Sequence, residues 1–180
     1  MKRIGLYVNV DNSRAAEAVG RLAECARRLG LTLVAWGETA GLMSRLAIPY
    51  ANGEASAAEA LVVLGGDGTM LRAVRETVSS GRPVMGVNMG SLGFLTAGAE
   101  RELDQAVECL ARGEVVESRR TLAEASVFRG GMERYRALCL NEVVVRNGDS
   151  ARIVTLEITV DEGTAAPITG DGLIIATPTG

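Results

Sequence analysis

The sequence of 180 residues contains no histidine, and this absence excludes several kinds of active site. Ser-His-Asp and Cys-His catalysis both require an imidazole, and so do histidine-based metal sites. The only thiols are Cys25, Cys109 and Cys139, which are odd in number and widely spaced. A disulfide framework or a zinc site is therefore not predicted, and the cysteines favour a protein of the reducing cytoplasm.

Lysine is almost as scarce, since Lys2 is the only lysine among 19 basic residues. The formal net charge is −3 and no run of basic residues occurs, so nucleic acid is not a predicted partner. No segment reaches the roughly 18 apolar residues of a membrane span, and the apolar stretch after Lys2 is too short for a signal peptide. We therefore expect a cytoplasmic protein with no membrane partner.

The first part of the chain alternates short apolar segments with segments of helical period. The predicted strands are 3–10, 31–36, 61–64 and 83–87. The predicted helices are 15–29 and a segment through Leu71, Val74 and Val78, and residues 37–60 are predicted to be a loop with some helix. This alternation predicts an α/β domain with a parallel sheet over residues 1–98.

The character of the chain changes after residue 98. One more amphipathic helix is predicted from Leu103 to Ala111, and beyond it the pattern is that of strands. The predicted strands are 121–129, 133–146, 152–160 and 173–176. Gly130-Gly131 is a hairpin signal, and residues 152–160 alternate as a half-buried antiparallel strand does. Residues 99–180 are therefore predicted to be an incomplete, antiparallel all-β domain.

The segment most suggestive of chemistry is 61–71, in which an apolar run ends at Gly-Gly-Asp-Gly-Thr, residues 65–69. Glycines let the backbone approach a ligand closely, and the free N–H groups of the following helix suit a phosphate. A carboxylate would repel phosphate, so Asp67 points to chemistry: holding Mg²⁺, orienting a hydroxyl or taking its proton. The alternative is a tight turn in which Asp67 caps the helix and Thr69 lies in its first turn.

Three further blocks follow: Gly-Val-Asn-Met-Gly-Ser-Leu-Gly-Phe-Leu-Thr at 86–96, Leu-Asn-Glu-Val-Val-Val at 140–145 and Thr-Gly-Asp-Gly-Leu-Ile-Ile-Ala-Thr-Pro-Thr-Gly at 169–180. In this order, the four motifs resemble the NAD kinase family over the whole chain. The resemblance implies transfer of the γ-phosphoryl group of ATP to the 2′-hydroxyl of the adenosine ribose of NAD. In some members of the family, inorganic polyphosphate is the phosphoryl donor instead. It also implies a divalent metal, usually Mg²⁺, and a homodimer or homotetramer of the full-length protein.

The resemblance also implies which residues form the site. Asp67 matches the family's catalytic aspartate, which acts on the reacting hydroxyl or on the metal. The phosphate-side loop on the ATP side is Gly65, Gly66, Gly68 and Thr69. The NAD-binding positions are Asp67, Gly68, Phe94, Asn141, Glu142, Asp171 and Thr177. Which carboxylate holds the metal is left open, and the substrate phosphates are expected to provide most of its ligands.

The residue types themselves allow a division of roles. A carboxylate suits the two hydroxyls of a ribose, so Glu142 is predicted to bind ribose and Asn141 to contact base or phosphate. Neighbouring side chains on a strand point to opposite faces, so one of the pair faces the ligand unless a bulge redirects both. Structural alternatives are a polar strand end for this pair, a turn for Asp171 and a core position for Phe94.

Two features depart from the family pattern. Ser91 stands where His or Arg is common, which weakens that contact. The family continues past Gly180 with a Ser/Thr-Ala-Tyr stretch that contacts NAD and with further strands. We therefore expect the chain alone to be a fragment with open sheet edges, poor stability and weak or no activity.

Two other functions are compatible with parts of the pattern. A diacylglycerol or sphingoid lipid kinase also carries Gly-Gly-Asp-Gly-Thr before a β-rich domain, but it needs a membrane-facing apolar surface that nothing in the sequence suggests. A non-catalytic nucleotide-binding fragment is the second alternative. The sequence leaves open whether the donor is ATP or polyphosphate, and whether NADH is accepted beside NAD.

Overall fold

The structure is a computed structural model that describes residues 1–90, 93–148, 153–161, 163–164 and 167–180. The chain divides into two compact units, Met1–Ser118 and Arg119–Gly180. The first unit is α/β with a parallel sheet and the second contains small antiparallel sheets, so the predicted fold class is confirmed. The domain boundary between residues 98 and 99 stays a prediction.

In its described residues, the first unit consists of a six-stranded parallel sheet, four α-helices and three short 3-10 helices, Ala55–Ala57, Val78–Ser80 and Glu100–Glu102. The strands are β1 (Arg3–Val8), β2 (Thr32–Ala35), β3 (Ala51–Asn52), β4 (Ala60–Leu64), β5 (Val84–Asn88) and β6 (Gly98–Ala99). The helices are α1 (Ala15–Arg28), α2 (Gly37–Arg45), α3 (Asp67–Thr77) and α4 (Leu103–Arg112). The strand order is β3-β2-β1-β4-β5-β6, so the chain builds outward from β1 in one direction and from β4 in the other.

Strand β4 lies in the middle of the sheet, and all five of its residues are buried. Its unbroken apolar sequence suits a strand that is covered on both faces. Val62 belongs to the core that α1 and α4 cover, through Leu22 and Leu110 among others. Val63 packs with Met70 and Ala73 of α3, and the sheet therefore has helices on both faces.

The segment 37–60 differs most from its prediction in this unit. Its first nine residues form α2, and residues 51 and 52 form the edge strand β3. Gly37 and Gly41 weaken the helix signal, because glycine costs about 1 kcal/mol relative to alanine in a helix. The buried face of α2 outweighs that cost, and it consists of Thr39, Ala40, Leu42 and Met43.

The described residues of the second unit form four antiparallel strand pairs, β7–β8, β9–β14, β10–β13 and β11–β12. These strands are β7 (Ala123–Arg129), β8 (Met132–Cys139), β9 (Glu142–Arg146), β10 (Val154–Leu156), β11 (Thr159–Val160), β12 (Gly163–Thr164), β13 (Ile168–Gly170) and β14 (Gly172–Ala176). Gly130 and Gly131 connect β7 to β8 with φ of 59° and 74°, so the predicted hairpin is confirmed. Positive φ at both positions is what a two-residue hairpin turn requires, and glycine adopts it without strain.

Two strand predictions for this unit are wrong. Residues 133–146 form two strands, β8 and β9, because the carbonyl groups of Leu140 and Asn141 accept hydrogen bonds from Thr177. Residues 152–160 are not one strand either, since β10 pairs with β13 whereas β11 pairs with β12. Hydrophobic alternation continues from β10 into β11, so periodicity alone does not show where that strand changes partner.

The β9–β14 ladder carries apolar side chains on both faces. Val144 and Ile174 are paired on one face and are 54% and 65% exposed. Val145 and Ile175 belong to the other face and are also exposed. Among the described residues, no helix combines the length and apolar character that crossing a membrane requires.

Candidate functional site

The Gly-Gly-Asp-Gly-Thr segment lies where β4 ends and α3 begins. Gly65 and Gly66 form the turn, and Asp67 is the first residue of α3. This turn is at the carboxyl end of β4, beside β1, where the strand order of the sheet reverses. In open parallel sheets such a reversal opens a crevice in which ligands bind. The alternative in which Asp67 caps the helix is wrong, because Gly66 occupies the N-cap with extended backbone angles.

The carboxylate of Asp67 is held by the loop that follows β5. Its Oδ2 accepts the N–H of Phe94 at 2.8 Å, and its Oδ1 accepts the N–H of Leu95 at 3.1 Å. A Cβ atom at Gly93 would lie 2.1 Å from Oδ1, so only glycine permits this approach. A carboxylate has about four lone-pair sites, and two remain for a substrate hydroxyl or a cation.

Thr69 and the three glycines of the segment fall into two groups. Thr69 is buried, and a Cβ atom at Gly65 would lie 2.4 Å from its Oγ1. Gly65 is therefore required by packing within the protein. Gly66 and Gly68 have no neighbouring atom within 4 Å of an added Cβ, and neither has a positive φ. Neither packing nor backbone angle accounts for glycine at these two positions, and both leave the backbone open to close approach.

Phe94 is 98% exposed, so the alternative of a core aromatic is wrong. Its backbone N–H donates to the carboxylate of Asp67, so the exposed ring belongs to a residue whose backbone is held in place. Ser91, the departure from the family pattern, lies outside the described residues.

Asn88 is a site residue that sequence reasoning missed. It ends β5, is buried, and its Oδ1 accepts the N–H of Gly90 at 2.7 Å. Its Nδ2 donates to Thr96 Oγ1 at 3.5 Å, at the far end of the loop that Asp67 holds. The available signal was a polar residue at the end of a buried strand, directly before a glycine-rich stretch.

Arg72 of α3 lies over the ring of an aromatic residue in β1. Tyr7 of β1 is buried, and the guanidinium carbon of Arg72 lies 5.7 Å from its ring centroid. Burial raises the pKa of the Tyr7 phenol, and a hydrogen bond to the Glu76 carboxylate raises it further. The phenol is therefore neutral at physiological pH.

In the second unit, three predicted residues meet at one end of the β9–β14 ladder. Glu142 begins β9, Asn141 precedes it, and Thr177 follows β14. Thr177 donates its backbone N–H to the carbonyl of Asn141 at 2.7 Å. Asp171 precedes β14 and therefore lies at the opposite end of the ladder, roughly 17 Å away along five strand residues.

The polar groups at this end differ in how they are satisfied. Glu142 is exposed. The side-chain Oδ1 of Asn141 is buried and, among the described residues, has no hydrogen-bond partner. An unsatisfied buried acceptor costs about 1–3 kcal/mol, so this amide oxygen lowers the stability of the unit as it stands.

The described residues contain no group of three or more Cys, Asp or Glu side chains arranged to hold a metal ion. Asp67 is the single carboxylate at the glycine turn. Mg²⁺ is commonly bound by one or two carboxylates together with substrate phosphates and water. The residues present therefore fit a phosphate-held Mg²⁺ rather than a cage made by the protein alone.

A parallel α/β unit with a glycine turn at its strand-order reversal, followed by a β-rich unit, is typical of a nucleotide-binding protein. Residues 4–115 match the family model described as the ATP-NAD kinase N-terminal domain. The chain belongs to the NAD kinase family, and the resemblance found in the sequence is confirmed.

Two relatives and one solved structure illustrate this kinship. The NAD kinase of Syntrophotalea carbinolica is 37% identical over 188 residues, covering 100% of this chain and 64% of the relative. That of Thiobacillus denitrificans is 37% identical, covering 98% of this chain and 62% of the relative. The chain also resembles the crystal structure of yeast NADH kinase complexed with NADH, with a TM-score of 0.85 and 20% sequence identity. The match covers 99% of this chain and 58% of the yeast chain, and it shows that the two share a fold. The chain therefore spans about 60% of the length of the relatives it matches.

Proposed function

We propose that this protein transfers the γ-phosphoryl group of ATP to the 2′-hydroxyl of the adenosine ribose of NAD, giving NADP and ADP. The observation that carries the proposal is the Asp67 carboxylate, which two backbone amides hold at the strand-order reversal in a member of the NAD kinase family. Phosphoryl transfer needs mainly positioning and charge stabilisation, so the absence of histidine is no obstacle.

In this proposal Asp67 is the catalytic residue. Its free lone pairs accept the proton of the 2′-hydroxyl as the ribose oxygen bonds to the γ-phosphorus and the bond from that phosphorus to the bridging oxygen of ADP breaks. Gly65, Gly66, Gly68 and Thr69 form the phosphate side. There, the N–H groups of the first turn of α3 lack intrahelical partners and can donate hydrogen bonds to phosphate oxygens.

The NAD-binding residues are assigned by chemistry. Asp67 and Gly68 lie at the reacting hydroxyl, and the exposed ring of Phe94 offers a stacking surface for adenine. In the second unit, Glu142 accepts hydrogen bonds from ribose hydroxyls and Asn141 accepts from the base. Asp171 and Thr177 remain predicted NAD-binding positions, although they lie at opposite ends of the β9–β14 ladder.

Mg²⁺, when bound, neutralises charge on the phosphates of the donor. ATP is the proposed donor and polyphosphate a possible second one. We further propose a cytoplasmic location, which the three free thiols support, and a homodimer or homotetramer of the full-length protein. Neither nucleic acid nor a membrane is a proposed partner.

The proposal is tested by a cycling assay specific for NADP, with NAD, ATP and Mg²⁺ and with each omitted in turn. It is run on this chain and on a chimera that continues after Gly180 with the remaining part of the S. carbinolica relative. NADP formed only with all three components supports the proposal. NAD binding without any NADP in either protein would make this a nucleotide binder, and phosphorylation of diacylglycerol instead would make it a lipid kinase.

Gly68→Ala separates ligand binding from folding. The substitution meets no atom within 4 Å, and alanine in a helix stabilises the fold by about 0.5–1 kcal/mol. We expect a higher Tm together with a KM for ATP raised about tenfold, which corresponds to about 1.4 kcal/mol of lost binding.

Gly20→Ala is the matched control, because Gly20 lies inside α1 and its added Cβ also meets nothing. It is expected to raise Tm in the same way and to leave the KM for ATP unchanged. If the two variants have the same KM for ATP, Gly68 does not contribute to binding the phosphates of ATP.

A further inference from the structure

Thr177 is the point at which two distant chain segments are joined in the second unit. Its hydroxyl donates to the carbonyl of Leu140, which lies 37 residues earlier. Its backbone N–H donates to the carbonyl of Asn141 at 2.7 Å. These bonds connect the turn after β14 to Leu140 and Asn141, the two residues directly before β9.

The hydroxyl of Thr177 has little capacity left for a ligand. Thr177 is only 7% exposed, and its Oγ1 also accepts the N–H of Thr179 at 3.1 Å. A hydroxyl has one donor and two acceptor sites, so its proton and one lone pair are already used within the protein. The carbonyl of Thr177 accepts the N–H of Gly180 at 3.1 Å, which completes the turn.

The turn fits closely against Asn141 and Glu142, which are the predicted contacts to base or phosphate and to ribose. A Cβ atom at Gly180 would lie 2.4 Å from the carbonyl oxygen of Asn141 and 2.8 Å from Oε2 of Glu142. The positions of the Glu142 side chain and of the unpartnered Asn141 Oδ1 therefore depend on the backbone that the hydrogen bonds of Thr177 hold in place.

We propose that Thr177 is a positioning residue, which holds the Asn141–Glu142 peptide in the orientation that binds the adenosine ribose of NAD and does not itself bond the nucleotide through its hydroxyl. This inference rests on the proposed function. It predicts that the hydroxyl, rather than the size of the side chain, decides NAD affinity, and that the donor nucleotide is unaffected.

The test compares Thr177→Val, which keeps the shape and removes the hydroxyl, with Thr177→Ser, which keeps the hydroxyl. In the full chain we expect Thr177→Val to raise the Kd for NAD about tenfold and Thr177→Ser to change it less than about twofold, as loss or retention of hydrogen bonds predicts. The Kd or KM for ATP should stay within about twofold for both. NAD binding is measured by calorimetric titration, and Tm is recorded for each variant.

Thr77→Val is the control for simple destabilisation. The Thr77 hydroxyl is buried at the end of α3 and donates to the carbonyl of Ala73 at 2.7 Å. Its loss should lower Tm as much as Thr177→Val does and should leave the Kd for NAD unchanged. If Thr77→Val weakens NAD binding equally, the effect of Thr177 is general destabilisation and the proposal is wrong.

Glu142→Gln separates failure of this inference from failure of the proposed function. Loss of NAD binding in Glu142→Gln with normal binding in Thr177→Val would overturn the positioning role and leave the function in place. Equal loss in Thr177→Val and Thr177→Ser would overturn the role of the hydroxyl. If NAD binds neither to the wild-type chain nor to the chimera that continues past Gly180, and Glu142→Gln is indistinguishable from both, the proposed function and this inference are overturned together.

Discussion

Replacement of Asp67 by asparagine is expected to lower kcat for NADP formation by about 10³-fold, within the range ascribed to a general base. An amide cannot take the proton of the 2′-hydroxyl. The carboxylate of Asp67 accepts hydrogen bonds from the N–H groups of Phe94 and Leu95. In asparagine, the NH₂ group would face one of these N–H donors, so one of the two hydrogen bonds is lost. The loop is therefore expected to lose about 1–3 kcal/mol of anchoring in addition to the chemistry. Rates and KM values of the variant and the wild type are compared in the NADP assay.

The control is Asp104→Asn, which removes a partly exposed carboxylate that lies 3.3 Å from Arg21 in the same unit. Such surface pairs contribute about 0–1 kcal/mol, so this variant should retain its rate. If Asp67 serves only to anchor the loop, Asp67→Asn will change Tm and the KM for NAD while kcat falls less than about tenfold. That pattern would contradict a catalytic role and leave a structural one.

Replacement of Gly65 by alanine is expected to be the most damaging change to the fold at this site. The new Cβ would lie 2.4 Å from Thr69 Oγ1 and 2.5 Å from Thr69 Cβ, and Thr69 is buried. Cβ is fixed to the backbone and cannot rotate away, so either α3 or the turn must shift. Overpacking of this kind costs about 1–3 kcal/mol or more, which urea unfolding will show as a lower midpoint with an unchanged slope.

Gly66→Ala is the neighbouring control. It introduces the same methyl group one residue later, where no atom lies within 4 Å and the backbone angles are extended. Its unfolding midpoint should match that of the wild type, while its KM for ATP rises because a phosphate approaches this backbone. An unfolding midpoint of Gly65→Ala that also matches the wild type would show that movement of Thr69 relieves the steric conflict.

The order of elements in the first unit was predictable because its strands are continuous apolar runs between amphipathic helices. Residues 61–64 are an example: they are buried on both faces, and such strands carry their own signal. The helix α2 was predicted only as a loop with some helix, because its two glycines weaken the helical signal in the sequence. Its stability comes from a face that is buried only in the folded unit. In the second unit, the breaks at Leu140-Asn141 and between β10 and β11 were missed for the same kind of reason.

The candidate site divides along the same line. Glycine, carboxylate and hydroxyl at 65–69 are a local pattern, and the strand before it and the helix after it were predicted with it. The contacts of Asp67 with the loop at 93–95 join residues 27 and 28 positions apart, and periodicity carries no information about such pairs. The same holds for Asn88, whose role depends on the loop that folds over it.

By itself, the sequence determined the α/β and β-rich units, the family and the chemistry available at 65–69, because these depend on local residue order and on motif spacing. Only the tertiary structure decided that Gly66 is the helix cap and that Phe94 is exposed. It alone placed the Thr177 hydroxyl in bonds within the protein. Those outcomes are set by hydrogen bonds and close approaches between segments far apart in the chain, and such contacts exist only once the backbone has folded.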